Sequence, residues 1–260
     1  MRVKRIVKPW RYPEASERQL GRSLSDFTTD LVVLARDQLD RIKFDADSDD
    51  IDDAEEELRE ESRKMIAPLL LALPVIAMRI YKFNSQQFIG VAKSAGGGNN
   101  DAVVILEALG AKAREPWYQE KATQWISMTK ASYEKLANDI ITDWSQTVRA
   151  ENFKGADRDQ IEEVIEQRYT IYTGWTVNRS RGIVATWNSV LMRMRLQDAG
   201  VTHYLWRGKL DERERLKHLL WEGERIGVDT DHVFPGEEYG CRCWAEPDFE
   251  GNENDDETTI

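Results

Sequence analysis

This chain of 260 residues has only two cysteines, Cys241 and Cys243, and they stand a single residue apart. That excludes a disulfide framework, because neighbours two apart on a strand point the same way with Cα atoms too far apart to bridge easily. Synthesis in a reducing, cytoplasmic compartment follows as the expectation. Positive charge is also in deficit, with 36 Lys and Arg against 47 Asp and Glu and a net charge of −11. A chain with that balance cannot coat duplex DNA through a general positive field, so any nucleic-acid contact has to be local. Long apolar runs are missing too. The most apolar stretch, Met65 to Met78, is interrupted by Pro68 and Pro74 and falls short of the roughly 20 residues needed to span a bilayer. It reads as a buried or partner-facing helical segment, broken or kinked by its prolines, and no membrane partner is expected. No apolar segment of signal-peptide type follows the basic N-terminus.

What basic charge there is gathers at that terminus. Arg2, Lys4, Arg5, Lys8 and Arg11 precede the first acid, Glu14, in a segment that also carries Pro9, Trp10 and Pro13. These five residues are the candidate nucleic-acid contacts, as an arm laid on phosphate or on an acidic partner; the other reading is a solvated terminus. Residues 16 to 43 then place Leu20, Leu24, Phe27, Leu31, Leu34 and Ile42 at the period of an amphipathic helix, with Ser16 and Gln19 as a capping box. An acidic stretch follows at 45–61, read as a solvated loop entering a helix near Asp52 and Asp53. Asp45, Asp47 and Asp49 alternate like calcium ligands, but Asp50 stands where the sharp turn needs glycine, which argues against a calcium loop.

Ser94 to Asp101, with three consecutive glycines, reads as a hinge before a helix capped near Asp101; without a preceding strand or a closing Gly-Lys-Ser/Thr it is not a phosphate loop. From 102 to 200 the period is helical throughout, with Asp157 capping one helix and another running from Thr176 to Asp198 and stopping at Gly200. Beyond Gly200 the pattern changes. Thr202 to Arg207 alternates like a strand, Asp211 to Trp221 reads as helix, and Arg242 to Ala245 as strand again. The expected fold is mostly α with a small C-terminal α+β module, a helical body followed by a compact helix-plus-short-strand domain. Its divisions are a basic arm (1–15), an N-terminal helical region (16–93), a Gly-rich hinge (94–101), a helical body (102–200), the α+β module (201–247) and an acidic tail (248–260).

All three histidines and both cysteines lie between His203 and Cys243. Within that window stand, in order, Trp206, Asp211-Glu-Arg213, His218, Gly223, Pro235, Gly240 and Cys241-Arg242-Cys243. This order and spacing resembles the C-terminal signature of phage Mu F-like minor head proteins, the head morphogenesis proteins of tailed bacteriophages. The likeness extends more weakly upstream to about residue 130, and there the chain departs from the family. Where the family shows Ile-Ala-Arg-Thr-Glu, this sequence has Ile183-Val-Ala185-Thr186-Trp187, so an ion pair between that Arg and Glu is missing or replaced. The resemblance implies a non-enzymatic virion component, made in the host bacterial cytoplasm and acting at or near the portal in head assembly, with a role in DNA packaging or ejection. It implies the portal protein as partner, with major capsid or scaffold protein and packaged DNA as further ones. The short tail after Cys243 leaves no room for the toxin domains that some relatives carry there.

The residues themselves allow three readings. Asp211, Arg215 and His218 would share one face of a helix, and Asp211, Arg213, His218 and Arg242 would form a polar network pinning the Pro235–Gly240 turn. Alternatively His218, Cys241 and Cys243 bind zinc, with Asp211 or His232 as fourth ligand, since zinc accepts nitrogen, sulfur and oxygen together; a metal-dependent hydrolase or nuclease would be the enzymatic form of that reading. The third is a catalytic Cys–His pair, which lacks any visible oxyanion hole or orienting group.

Overall fold

The computed structural model describes residues 6–41, 48–110, 115–150, 153 and 156–250. Arg2, Lys4, Arg5, Asp45 and Asp47 therefore lie outside the described residues, as does most of the acidic tail. The chain is mostly helical with a small antiparallel sheet near its C-terminus, as the sequence pattern predicts.

Helix α1 (Glu14–Arg41) follows Pro13, and its apolar stripe buries Leu20, Leu24, Phe27 and Leu31. Ser16 is not its cap, because the helix starts two residues earlier and the Ser16 N–H donates to the Pro13 carbonyl. Helix α2 (Ser48–Ser94) begins inside the acidic stretch, so 48–61 is helix rather than loop, and Asp49 and Asp50 occupy the first turn where the helix dipole favours them. Pro68 and Pro74 sit within α2 without breaking it. Each removes a backbone donor, a loss of about 3 kcal/mol in an isolated helix, and tertiary burial of Ile66, Leu73, Ile76, Ala77 and Ile80 offsets it. Continuity also removes shortness as an argument: α2 is long and apolar enough, by length and composition alone, to cross a membrane.

A 3₁₀ turn (Gly97–Asn99) leads into α3 (Asp101–Leu109), whose cap is Asn100, with Oδ1 accepting the Ala102 N–H at 3.1 Å. Helices α4 (Tyr118–Arg149) and α5 (Arg158–Asp198) follow. Asp157 caps α5 in a reciprocal box with Gln160, each side chain accepting the other's backbone N–H at 2.9 Å. Helix α5 is one element, so no break separates its first half from Thr176. It ends where Gly200 adopts φ 65° and Val201 N–H reaches back to Leu196 O.

Strand β1 (His203–Arg207) is the centre of the sheet, flanked by β2 (Arg225–Gly227) and β3 (Trp244–Pro247). Tyr204 opposes Ile226 on one side and Pro247 on the other, fixing the register. Between β1 and β2 lies the short helix α6 (Leu216–Leu220).

The described residues divide into two compact units, bounded as follows along the chain. One comprises 17–74 and 124–180, and its core includes Leu24, Leu31, Leu58, Leu136, Ile140 and Trp144. The other comprises 1–16, 75–123 and 181–260 and contains the sheet. Its core joins Phe88, Val91 and Leu106 to Met192, Leu196, Tyr204, Trp206 and Phe234, with Trp10 of the N-terminal segment buried among them. The described part of the basic segment is thus packed down: Lys8 N–H donates to Ser94 Oγ and Arg11 N–H to Gln87 Oε1.

Candidate metal centre

The site is assembled by three short segments around Trp206. Strand β1 presents the Trp206 ring, which is fully buried. Gly223, at φ 80°, turns the chain after α6 so that its N–H reaches the Trp206 carbonyl at 2.8 Å. The His218 ring stacks on Trp221 at 5.3 Å and meets the edge of Trp206 at 5.2 Å, while His232 closes the aromatic group against Trp221 at 4.6 Å.

His218 is 1% exposed, and its two nitrogens face different chemistry. Nε2 lies 2.8 Å from Glu238 Oε2. A carboxylate only accepts, so Nε2 carries the proton and donates, leaving Nδ1 with a lone pair. That lone pair faces Cys243 Sγ at 3.4 Å, Cys241 Sγ at 3.6 Å and Glu214 Oε1 at 3.4 Å. Cys243 Sγ is in turn 3.0 Å from Glu214 Oε1. Candidate donor atoms of His218, Cys241 and Cys243 all lie within 4.8 Å of one another. Glu214 is held from its other side, where Oε2 accepts the Lys209 and Leu210 N–H groups at 2.7 and 3.2 Å.

The two thiols shift in opposite directions. Hydrogen bonding from Cys243 brings the Cys241 thiol down to about 6 against the opposing effect of burial, and backbone N–H groups and His218 act in the same direction. Cys243 is pushed upward by that same bond, by burial and by the Glu214 carboxylate. Burial would raise Glu238, but hydrogen bonds from Lys217 and His218 outweigh it and hold the carboxyl below its usual range. Arg215 adds a second cation, beside Lys217, at 2.9 Å.

Asp211 does not join this cluster. Helix α6 starts only at Leu216, so Asp211 lies in the preceding turn and the shared face of Asp211, Arg215 and His218 does not exist. Instead both Asp211 oxygens accept from Arg242 Nη2 at 2.7 Å, and Oδ1 takes the Arg213 N–H at 3.1 Å. Burial raises the Asp211 carboxyl, yet Arg242 and that N–H bring it below the ordinary value. Arg213 is exposed and contributes its backbone to the turn. His232 is not in the group of donors within 4.8 Å of one another; its Nδ1 is 2.8 Å from the Val233 carbonyl. His203 stands on β1 with Nδ1 3.0 Å from Thr202 Oγ1. Pro235 anchors the turn to α5, its carbonyl accepting from Ser189 Oγ at 2.8 Å. Gly236, at φ 89°, comes so close to α5 that a Cβ there would lie 2.9 Å from Ser189 Cβ.

Sequence reasoning missed Glu214 and Glu238. Glu214 stands four residues before His218, the spacing that puts two side chains on one helical face, whereas Glu238 carries no local signal. Also missed was a buried network in the same unit, where Arg195 bonds Glu115, Ser85 and Asn84. At the departure from the family pattern, Ala185 and Trp187 are buried, and Trp187 Nε1 donates to the Ala77 carbonyl at 3.0 Å.

An alignment over 71 residues, covering 25% of this chain, is 35% identical to an uncharacterized protein of Haemophilus influenzae (strain ATCC 51907 / DSM 11121 / KW20 / Rd). The match spans 15% of that protein's length. No family model matches the chain, and no solved structure does.

Proposed function

We propose that this chain is a minor head protein of a tailed bacteriophage, a structural component acting at or near the portal in head assembly and in DNA packaging or ejection. The observation that carries this reading is the convergence of the spaced signature residues on one clasp. Trp206 lies beneath His218, Asp211 holds Arg242, Gly223 and Gly240 make turns at positive φ, and both cysteines face His218. Residues serving a clasp give a module its shape, and shape is what an assembly component presents to partners.

The outer face of α6 supports a protein partner. Leu216 is 76% exposed and Leu220 72%, with Leu219 and Tyr239 also exposed. Portal protein is the partner this reading names first, with major capsid or scaffold protein next, because the net charge of −11 disfavours nucleic acid. Packaged DNA would be touched through the basic segment that includes Lys8 and Arg11. In the alternative reading, a metal-dependent hydrolase or nuclease, substrate must reach His218, Cys241 and Cys243, yet none of them is more than 5% exposed.

Co-expression with the portal and major capsid proteins of the phage that carries the chain tests the proposal. Retention on portal, and presence in purified virions, are expected. Absence from both sinks it, and phosphodiesterase activity lost on His218→Ala would favour the enzyme.

A further inference from the structure

We propose that His218 Nδ1, Cys241 Sγ, Cys243 Sγ and Glu214 Oε1 are the four ligands of a structural zinc ion, with Glu238 holding His218 from behind. The site goes beyond the assembly reading and stands or falls without it.

Three observations carry the site. The first is geometric. Zinc bonds of about 2.3 Å to sulfur and about 2.0–2.2 Å to nitrogen and oxygen, at tetrahedral angles, put N and S ligands about 3.5 Å apart and N and O ligands about 3.3–3.5 Å apart. The observed Nδ1 separations are 3.4 and 3.6 Å to the two sulfurs and 3.4 Å to Glu214 Oε1. The Cys243–Glu214 edge, at 3.0 Å, is shorter because a thiol proton bridges it, and a metal would replace that proton and open the edge by about 0.6 Å.

The second is chemical. An imidazole nitrogen and two sulfurs lie within 4.8 Å of one another, with a carboxylate oxygen 3.4 Å from the nitrogen and 3.0 Å from the Cys243 sulfur, in a place where no ligand residue's side chain is well exposed, with His218 at 1% and Glu214 at 6%. Four electron-rich atoms and at most two thiol protons make a poor core and a good cation site. Two thiolates with an imidazole select zinc over magnesium or calcium, and a full set of four protein ligands describes a structural rather than catalytic site.

The third is the support around the donors. The Glu238 carboxylate on Nε2 is the carboxylate–histidine arrangement that orients a metal-bound imidazole and fixes its tautomer. The Lys209 and Leu210 N–H groups fix the second Glu214 oxygen, leaving Oε1 as a single aimed donor. Asp211 is engaged by Arg242, so the fourth ligand comes from Glu214.

The test uses the full chain purified without chelator from zinc-supplemented medium. Elemental analysis is expected to give about one zinc per chain, and His218→Ala, Cys241→Ser and Cys243→Ser each to reduce it below about a tenth. Glu238→Gln retains the zinc but binds it about 10–100-fold more weakly, and Glu214→Ala weakens it further. Asp211→Asn and His232→Asn leave the content unchanged. Should the ligand variants fail to fold, cobalt added to metal-stripped wild type decides, through thiolate charge-transfer absorption and the intense visible bands of a tetrahedral ion. Wild type that lacks zinc and gives no such spectrum overturns the site; zinc lost from Asp211→Asn but retained by Glu214→Ala overturns the ligand set.

Discussion

Arg195→Met removes a cation from a place where its partners cannot turn to water. The Arg195 side chain is 1% exposed. Its Nε lies 3.1 Å from Glu115 Oε1, its Nη2 2.7 Å from Ser85 Oγ, and its guanidinium 5.0 Å from the centre of the Tyr81 ring. Burial pulls the guanidinium below its usual range while Glu115 pulls it back up, as expected of a buried pair. Methionine fills the same length with no donor. Two losses follow. Glu115 keeps a charge with the Tyr81 hydroxyl still donating to it, and breaking a buried pair from one side costs about 3–5 kcal/mol. The Glu115 side chain is 15% exposed, so water reaches it and the lower half of that range applies. Asn84, fully buried, loses the Arg195 donor at Oδ1, and Asn188 does not replace it because it only accepts from Asn84 Nδ2, adding about 1 kcal/mol. The expected cost is about 4 kcal/mol, a large share of the 5–15 kcal/mol typical of a domain. Adding Glu115→Gln to Arg195→Met should recover about 1–2 kcal/mol, because no buried charge is then left unpaired. Urea unfolding followed by tryptophan fluorescence, with hydrogen exchange at Leu191 to Leu196 as the local readout, measures both. A single variant costing under about 1 kcal/mol, or a double variant less stable than the single one, would refute the reasoning.

The clasp yields further expectations. Asp211→Asn should cost about 1–2 kcal/mol, modest because Asp211 is 35% exposed. Since the Asp211 carboxyl is depressed in the folded chain, its contribution is present above the unfolded value near 3.9 and lost as pH falls through the folded one, so wild type and Asp211→Asn should converge in urea titrations below about pH 4. Gly236→Ala combines positive φ with a contact at 2.9 Å on Ser189 Cβ. It should cost about 2–3 kcal/mol by thermal melting, and Ser189→Gly should restore part of it. Gly182→Ala would drive a methyl to 2.3 Å from the Tyr239 ring; its loss of about 1–2 kcal/mol should vanish in a Tyr239→Ala background, since that ring is 53% exposed and adds little stability of its own.

Which of these features the sequence could reveal depended on how local the cause was. Periodicity found α1 through Leu20, Leu24, Phe27 and Leu31, because a stripe of apolar side chains on one helix is written within four residues. Gly200 and Asp157 were legible as stop and start for the same reason. The prolines of α2 misled, because a local rule counts the donors that Pro68 and Pro74 remove and not the burial of Ile66, Leu73, Ile76 and Ile80 around them. Asp211 misled differently. An assumed helix from Asp211 to Trp221 put it on the His218 face, whereas the helix begins at Leu216 and Leu210 takes a positive φ of 57° just before it, turning Asp211 away toward Arg242. Once that turn is in place, Glu214 is the acid left beside His218. Glu238 was beyond reach, since nothing in a separation of 20 positions says that the second turn folds back onto the imidazole.

The spacing of the cysteines, one residue closer than the Cys-x-x-Cys common in zinc sites, follows from the same geometry. In extended chain, side chains two apart point to one side and the residue between them to the other. Cys241-Arg242-Cys243, leading into β3, thus sends both sulfurs to His218 and the guanidinium to Asp211. The ends it joins are different. One is a buried donor set, and the other is a partly exposed ion pair that fixes the turn from which Glu214 comes. Inserting a residue between the cysteines would put the two sulfurs on opposite sides and shift Arg242 off Asp211. A chain with such an insertion should therefore lose zinc and the Asp211 pair together, whereas Asp211→Asn loses only the pair.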